Sequence, residues 1–402
     1  MQRATDPLQV AIIEETAEIG GAQVNILNLI PHINPQAVDL HVFLPYDGPY
    51  AKALREQGAV VHLLNIPRFF SISFFWAERK LLNPAALIAD IYILLLYALT
   101  IRREVRLHKI DLIHTNSILA HFAGGMAAWL IGRPCIWHMQ DIIDPRHTFR
   151  RWLFRRSAAI LADRIITISP PVSEQFGPDL QNRIVLLPYG LEIERFQAKA
   201  SAGHTLRTFA ADRLLVGLAG RFVRWKGQHI FLEAARLLCA TRQDLAFVLI
   251  GDASLGEVDY ASQLRRFVQQ HRLEESVLFA GWQPQMPQVY AQLDVAVLAS
   301  IEPEPFGLVV LEAMASGLPV IVTAHGGPAH FVKDGSTGLL IPPADAATLA
   351  LAIVRLADNE DLRMALSANA RREVEDHYTI DTYCKQLIRL YQTLCPSKTV
   401  PH

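Results

Sequence analysis

"EPEPFGLVVLEAMASGLPV", residues 302–320, carries the pattern from which the rest of the chain can be read. Two carboxylates, Glu304 and Glu312, stand eight positions apart, with Pro305, a Phe306-Gly307 pair and an apolar run between them. The stretches on either side, "DVAVLAS" and "LPVIVTA", have the length and β-branched composition of buried strands. Strand, Pro-rich loop, helix opening near Gly307 and strand make one repeat of a parallel α/β sheet. In such sheets ligands sit at the carboxyl ends of strands. Helix N-termini there offer unpaired N–H groups and a positive dipole end to phosphate, and Gly307 would let a phosphate come close to the backbone. Acids on both sides of a phosphate site suit a nucleotide sugar, one for the sugar hydroxyls and one for the ribose diol. Taken alone the spacing is weak: Glu304 could simply favour the helix dipole, and Glu312 could be an ordinary surface residue.

Working outward, the same alternation fills the chain. In the first half "LQVAIIEE", "DLHVFLP", "AVVHLLNI", "IDLIHTNS", "PCIWHMQ" and "ADRIITISP" read as strands, and "GGAQVNILNLIPHI" and residues 85–107 as helices. The pattern restarts at "LLVGLAGRF" and continues through "LAFVLIGD" and "SVLFAG". The 402 residues exceed what one core usually serves. The expected organisation is therefore an N-terminal doubly wound domain over residues 1–195 and a second over 196–377. A C-terminal amphipathic helix, about 378–395, is expected to pack back on the first domain.

A formal net charge of −1 argues against a nucleic-acid partner. Four scattered cysteines, Cys135, Cys239, Cys384 and Cys395, form no CxxC pair and suggest neither a metal cluster nor a disulfide framework. With no signal peptide visible, a reduced, cytoplasmic protein is expected. "AALIADIYILLLYALTI", residues 85–101, is at the low edge of a membrane-spanning length and reads as a buried helix of an α/β domain.

Other residues gather around the two carboxylates. "GRFVRWKG", residues 220–227, follows the first strand of the second half, where Arg221 and Lys226 could meet a diphosphate. "HGGPAH", residues 325–330, and Gly20-Gly21 are Gly-rich turns after strands. Residues 146–156, "RHTFRRWLFRR", combine five arginines with Phe149, Trp152 and Phe154, and residues 68–80 are similarly basic and aromatic. Such material attracts anionic bilayer surfaces, although a solvated Arg-rich helix with its aromatics in the core fits as well.

The ordered set "GGAQ", "IDLIHTNS", "CIWHMQD", "VLLPYGLEIERF", "GRFVRWKGQHIFLEAA", "VLFAGW", "EPEPFGLVVLEAMASGLPVI" and "GGPAHFVKDGSTGLLIPPAD" resembles the retaining glycosyltransferases of family 4. That family is also called glycosyl transferases group 1. The resemblance implies the GT-B fold, two Rossmann-like domains facing across a cleft. It implies transfer from a nucleoside diphosphate sugar to a glycan, lipid-linked or small-molecule acceptor. Arg221 and Lys226 would neutralise the departing diphosphate, and the backbone of Phe306, Gly307 and Leu308 would donate to phosphate. Glu312 would hold the ribose and Glu304 the sugar hydroxyls, with Gly20 and Gly21 closing over the donor. His138 would stand near the transferred sugar and acceptor, with Asn116 on the acceptor side; Gly281 and Trp282 would meet the base. No metal or other cofactor is expected, and a place at the inner face of the cytoplasmic membrane is. The sequence departs from the family at Tyr189, Gln23 and His330, where Asn, Glu and Glu are common, which blurs the donor sugar. The remaining readings are a non-catalytic sugar-nucleotide-binding scaffold and a GT-B epimerase. A dinucleotide oxidoreductase lacks its G-x-G-x-x-G signature.

Overall fold

The computed structural model describes residues 6–67, 73–76, 79–82, 84–144, 146–197, 205–253 and 258–396. Apolar runs, continuous because both sheet faces are covered, form the strands. In the first half these are β1 Leu8–Ile13, β2 Val38–Leu44, β3 Val60–Leu63, β4 Ser73–Trp76, β5 Arg79–Leu82, β6 Leu112–Thr115, β7 Cys135–Met139, β8 Arg164–Thr167 and β9 Ile184–Leu186. In the second they are β10 Leu214–Ala219, β11 Leu245–Ile250, β12 Val277–Gly281, β13 Val295–Leu298, β14 Val320–Thr323 and β15 Leu339–Ile341. The chain divides into two compact units, Met1–Pro188 with Asp381–His402, and Tyr189–Ile380.

The first unit holds a sheet in the order β3-β2-β1-β6-β7-β8-β9, every neighbour pair parallel, and a separate antiparallel hairpin of β4 and β5. The strand order reverses between β1 and β6, which opens a ligand-binding crevice at their carboxyl ends. Residues 85–107 form most of the helix Pro84–Leu107, but the helix is not wholly buried. Ile93, Tyr97, Ile101 and Val105 face the core, whereas Ile88, Ile91, Tyr92, Leu95 and Leu99 form an exposed apolar stripe. Among the described residues no helix is long and apolar enough to cross a membrane. The helix Ile380–Leu394 joins this unit through Tyr383, whose hydroxyl accepts from Asn25 Nδ2 at 3.2 Å, and through Tyr391.

The second unit holds a parallel sheet in the order β12-β11-β10-β13-β14-β15, reversing between β10 and β13. Its core joins Phe247 and Leu249 of β11 to Phe231, Leu232 and Ile353 of the covering helices. The boundary falls at Pro188/Tyr189 rather than after residue 195, because "YGLEIERF" is stitched into this unit. The Leu191 N–H donates to the Tyr378 carbonyl (2.8 Å), and the Tyr189 ring packs edge-on against Phe306 at 4.9 Å.

Phe247 is fully buried and meets Phe231 edge-to-face at 5.7 Å. Phe247→Ala is expected to cost about 3–5 kcal/mol in urea unfolding. Leu351→Ala, at a side chain 70% exposed, should stay within about 0.5 kcal/mol of wild type.

Candidate active site

In the second unit the loops at the carboxyl ends of β10, β13 and β14 converge on Glu304. Lys226 lies in a single turn, Arg224–Lys226, after β10. Its Nζ donates to both Glu304 oxygens at 2.6 Å, and Ser300 Oγ donates to Glu304 Oε2 at 3.1 Å. Both members of the ion pair are largely shielded from water, and the ammonium also lies 4.4 Å from the Trp225 ring centre. The turn is forced to this place by Gly227: at φ 74° a Cβ there would fall 1.8 Å from the Ala299 carbonyl oxygen, so the β10 and β13 loops touch backbone to backbone.

The "HGGPAH" turn seals the other side. Gly326, at φ 72°, packs against the Glu304 backbone, and the Gly327 N–H donates to the Glu304 carbonyl at 2.7 Å. Gly307, at φ 86°, is the N-cap of the helix Leu308–Ala315. The Val310 N–H turns back to the Gly307 carbonyl at 2.9 Å, and the N–H groups before it, at the very start of the helix, have no carbonyl one turn back to bond. The Phe306 ring itself is core, against Tyr189 and Phe331, so only its backbone faces the site.

Glu312 lies on the same helix, where Tyr290 donates its hydroxyl to Oε2 at 2.9 Å. Burial pushes the Glu312 carboxyl up to about 7, against the lowering effects of Tyr290 and of the nearby Arg195 charge. Arg221 is exposed after β10, His330 is exposed, and Trp282 is exposed after β12, beside Gly281 at φ 68°. Arg221, Lys226, Glu304, Gly307 and Trp282 thus all follow strands at the carboxyl edge of one sheet. Tyr290 and Ser300 were not singled out in the sequence. Tyr290 lies in the apolar segment "MPQVYAQL", where nothing marks its hydroxyl as a partner of an acid 22 positions away.

In the first unit a second polar cluster occupies the crevice between β1 and β6. Glu14, at the end of β1, is fully buried. It accepts from Asn116 Nδ2 at 2.6 Å and from Gln23 Nε2 at 3.0 Å, and Gln140 donates to Asn116 Oδ1. Gln23 Oε1 in turn accepts the Gly20 N–H at 3.1 Å, which fixes the Gly20-Gly21 helix start. Burial pushes the Glu14 carboxyl up to about 7, with the Asn116 and Gln23 bonds pulling the other way. His138 is fully buried in β7, its Nδ1 at 3.2 Å from His114 Nε2, while His114 Nδ1 meets the Tyr391 hydroxyl at 2.6 Å. Burial holds both imidazoles well below the usual histidine range, so His138 is a neutral, fixed group. Glu14 and Gln140 escaped the sequence reading; an acid closing the apolar run "QVAII" was the available signal for Glu14.

Two measurements check this geometry. Removing one partner of a buried ion pair strands the other charge. Lys226→Met is expected to lower stability by about 3–5 kcal/mol, and Lys226→Met with Glu304→Gln by clearly less, in a denaturant double-mutant cycle. A carboxyl whose folded pKa is raised has its stabilising contribution intact below the unfolded value, and loses it as pH rises through the folded one. For Glu312 that window runs from about pH 4 to about pH 7. Glu312→Gln should therefore raise Tm relative to wild type at pH 8 and leave it nearly unchanged at pH 4.

Comparison with known proteins agrees with this layout. The family described as "Glycosyl transferases group 1" matches residues 207–373, and the "Glycosyl transferase 4-like domain" matches residues 20–190. The lipopolysaccharide core mannosyltransferase LpsB of Rhizobium meliloti is 27% identical over 65% of this chain and 81% of its own length. The D-inositol 3-phosphate glycosyltransferase of Corynebacterium urealyticum is 25% identical over 97% of this chain and 94% of its own. The crystal structure of Anabaena HepE in complex with UDP and glucose superposes with a TM-score of 0.81 at 25% identity, covering 96% of this chain and all of HepE. The sucrose-phosphate synthase of Thermosynechococcus elongatus shares the fold at a TM-score of 0.70. The chain therefore has the GT-B fold and is a glycosyltransferase of the hexosyltransferase type, with the glycosyl transferases group 1 domain over residues 207–373.

Proposed function

We propose that the chain is a retaining glycosyltransferase that takes a sugar from a nucleoside diphosphate sugar, without a metal, and places it on a glycan, lipid-linked or small-molecule acceptor. The observation that carries this is the shielded Lys226–Glu304 pair at the carboxyl edge of the second unit's sheet, on the loop leading to the Gly307 helix start. Lys226 and the exposed Arg221 supply cations to the diphosphate, and the N–H groups opened by Phe306, Gly307 and Leu308 supply donors. Glu304, held by Ser300 and Gly327, orients the sugar hydroxyls, which is positioning rather than nucleophilic work. Glu312, steadied by Tyr290, takes the ribose diol. Gly281 and Trp282 meet the base. In the first unit Gly20 and Gly21 serve the donor, and Asn116 and His138 the acceptor, His138 as a neutral hydrogen-bonding group.

In the step itself the acceptor oxygen bonds to the anomeric carbon as its bond to the diphosphate oxygen breaks. The acceptor proton passes to that departing oxygen on the same face, and configuration is kept. The developing negative charge falls on Lys226, Arg221 and the helix start, which is where electrostatic stabilisation is most effective. HepE, solved with UDP, with UDP and glucose, and with UDP-glucose, supports a UDP-sugar donor. An Escherichia coli relative, 27% identical over 75% of this chain, is named a galactosyltransferase acting on a diphosphoundecaprenol-linked sugar, which supports a lipid-linked acceptor.

A membrane-surface partner, with the protein at the inner face of the cytoplasmic membrane, draws support from the helix Thr148–Leu161. Phe154 is core, whereas Phe149, Trp152 and Leu153 are exposed beside Arg150 and Arg156. The exposed stripe Ile88, Tyr92, Leu95 and Leu99 adds apolar surface to the same unit. Of residues 68–80, positions 73–76 and 79–80 fall in the hairpin of β4 and β5, and the side chains of the whole stretch lie outside the described residues.

Thermal shift with a panel of nucleotide sugars, in EDTA, tests the donor site. One nucleotide family should raise Tm of wild type, as any ligand of the native state does, and Glu312→Ala should lose the shift. A donor site intact but without sugar transfer to any acceptor would favour the scaffold reading. Flotation on anionic liposomes should retain wild type and lose an Arg150, Arg151, Arg155, Arg156→Ser variant; no binding by wild type would end the membrane reading.

A further inference from the structure

His41 on β2, His62 on β3 and His108, just beyond the helix Pro84–Leu107, come together at one edge of the first unit's sheet. Each offers a ring nitrogen, and these atoms all lie within 4.8 Å of one another. The rings are stacked or tilted at centroid distances of 5.1 Å (His41–His62), 4.2 Å (His62–His108) and 5.8 Å (His41–His108). Sheet register brings them here: in a parallel sheet paired rows point to the same face. Gln9, Asp39 and His41 share one face with Phe43 and His62, onto which His108 packs.

The hydrogen bonds already select the ring nitrogens. His41 Nε2 is engaged by Gln9 Oε1 at 2.8 Å, with Asp39 at 3.6 Å, which leaves Nδ1 facing inward. That Nδ1 stands 2.9 Å from His62 Nε2. Two nitrogens on one Zn²⁺ at about 2.0–2.1 Å are separated by roughly 3.0–3.4 Å, so the pair is close to the spacing an ion imposes. Glu104 lies 3.6 Å from His108 Nε2. A metal-bound imidazole commonly gives its other N–H to a carboxylate or carbonyl, and Asp39, Gln9 and Glu104 stand where those partners belong. His62 and His108 are only half-buried, which leaves an entry path.

We propose that His41, His62 and His108 form a structural zinc site that clips the C-terminal end of the helix Pro84–Leu107 to the edge strands β2 and β3. A water completes the four-coordinate shell that Zn²⁺ prefers. Imidazole ligands suit zinc over the hard cations that seek oxygen. The clip joins segments far apart in sequence, where closing a loop adds most to stability. It is separate from the transfer chemistry and does not rest on the donor reading.

The test uses the full-length, untagged chain, stripped with EDTA and dialysed, then titrated with zinc chloride alone. Bound metal is counted by atomic emission after gel filtration, and Tm is followed in parallel. One zinc per chain and a raised Tm are expected. His62→Gln and His108→Gln, each shown to be folded by far-UV circular dichroism, should each weaken zinc binding by more than about tenfold, since even outer partners cost about 10- to 100-fold. His271→Gln, at an exposed histidine outside the cluster, should bind as wild type. Failure of the wild type to retain zinc, or equal retention by the cluster variants, overturns the proposal.

Discussion

The ion pair between Lys226 and Glu304 is the interaction on which the candidate site depends. It exists because β10 and β13 are neighbours in the sheet although six other elements of structure intervene in sequence. The reversal of strand order there brings two loops together, and glycine at 227 lets them touch. Gly326 and Gly327 then pack on the backbone of the acid, and Gly307 starts a helix three residues on. A buried pair of this kind contributes little net stability, because desolvation offsets most of the attraction. Its value is preorganisation: a cation is already in place, and an anionic ligand needs only to take over its partner.

The first unit solves a related problem without a cation. Glu14 sits at the corresponding strand end, but its neighbours are the amides of Asn116 and Gln23 rather than a lysine. Burial then raises the carboxyl toward neutrality. Through Gln23 the same acid steadies the Gly20 N–H, and through Asn116 it reaches Gln140. One unit therefore offers a charge to an anion, and the other a network of neutral donors and acceptors.

Most strands were legible because parallel strands are covered on both faces and read as unbroken apolar runs. The three-residue strands Ile184–Leu186 and Leu339–Ile341 are too short to carry a period, and they were missed. The helix Ile118–Ile131 also escaped: it is apolar on nearly every side, so no face stands out. The loops after β10, β13 and β14 stood out because Gly, Pro and charge are concentrated after strands. Tyr290 and Ser300 were not, because a hydroxyl in an apolar segment gives no sign of which acid it will meet. The three histidines at the sheet edge lie on separate segments, and only the strand register shows that they converge.

The central claim is that Lys226 leaves Glu304 for the diphosphate of a nucleotide. Calorimetric titration of UDP and GDP into wild type, Lys226→Met and Glu304→Gln, in EDTA, tests it directly. The account predicts that one nucleotide binds wild type. It predicts that Lys226→Met weakens this more than about tenfold, the loss of one charge-assisted contact of about 1.5–3 kcal/mol. Glu304→Gln, which frees the lysine from its competitor, should bind at least as tightly as wild type. Binding by Lys226→Met equal to wild type, or a loss in Glu304→Gln as large as that in Lys226→Met, would contradict it.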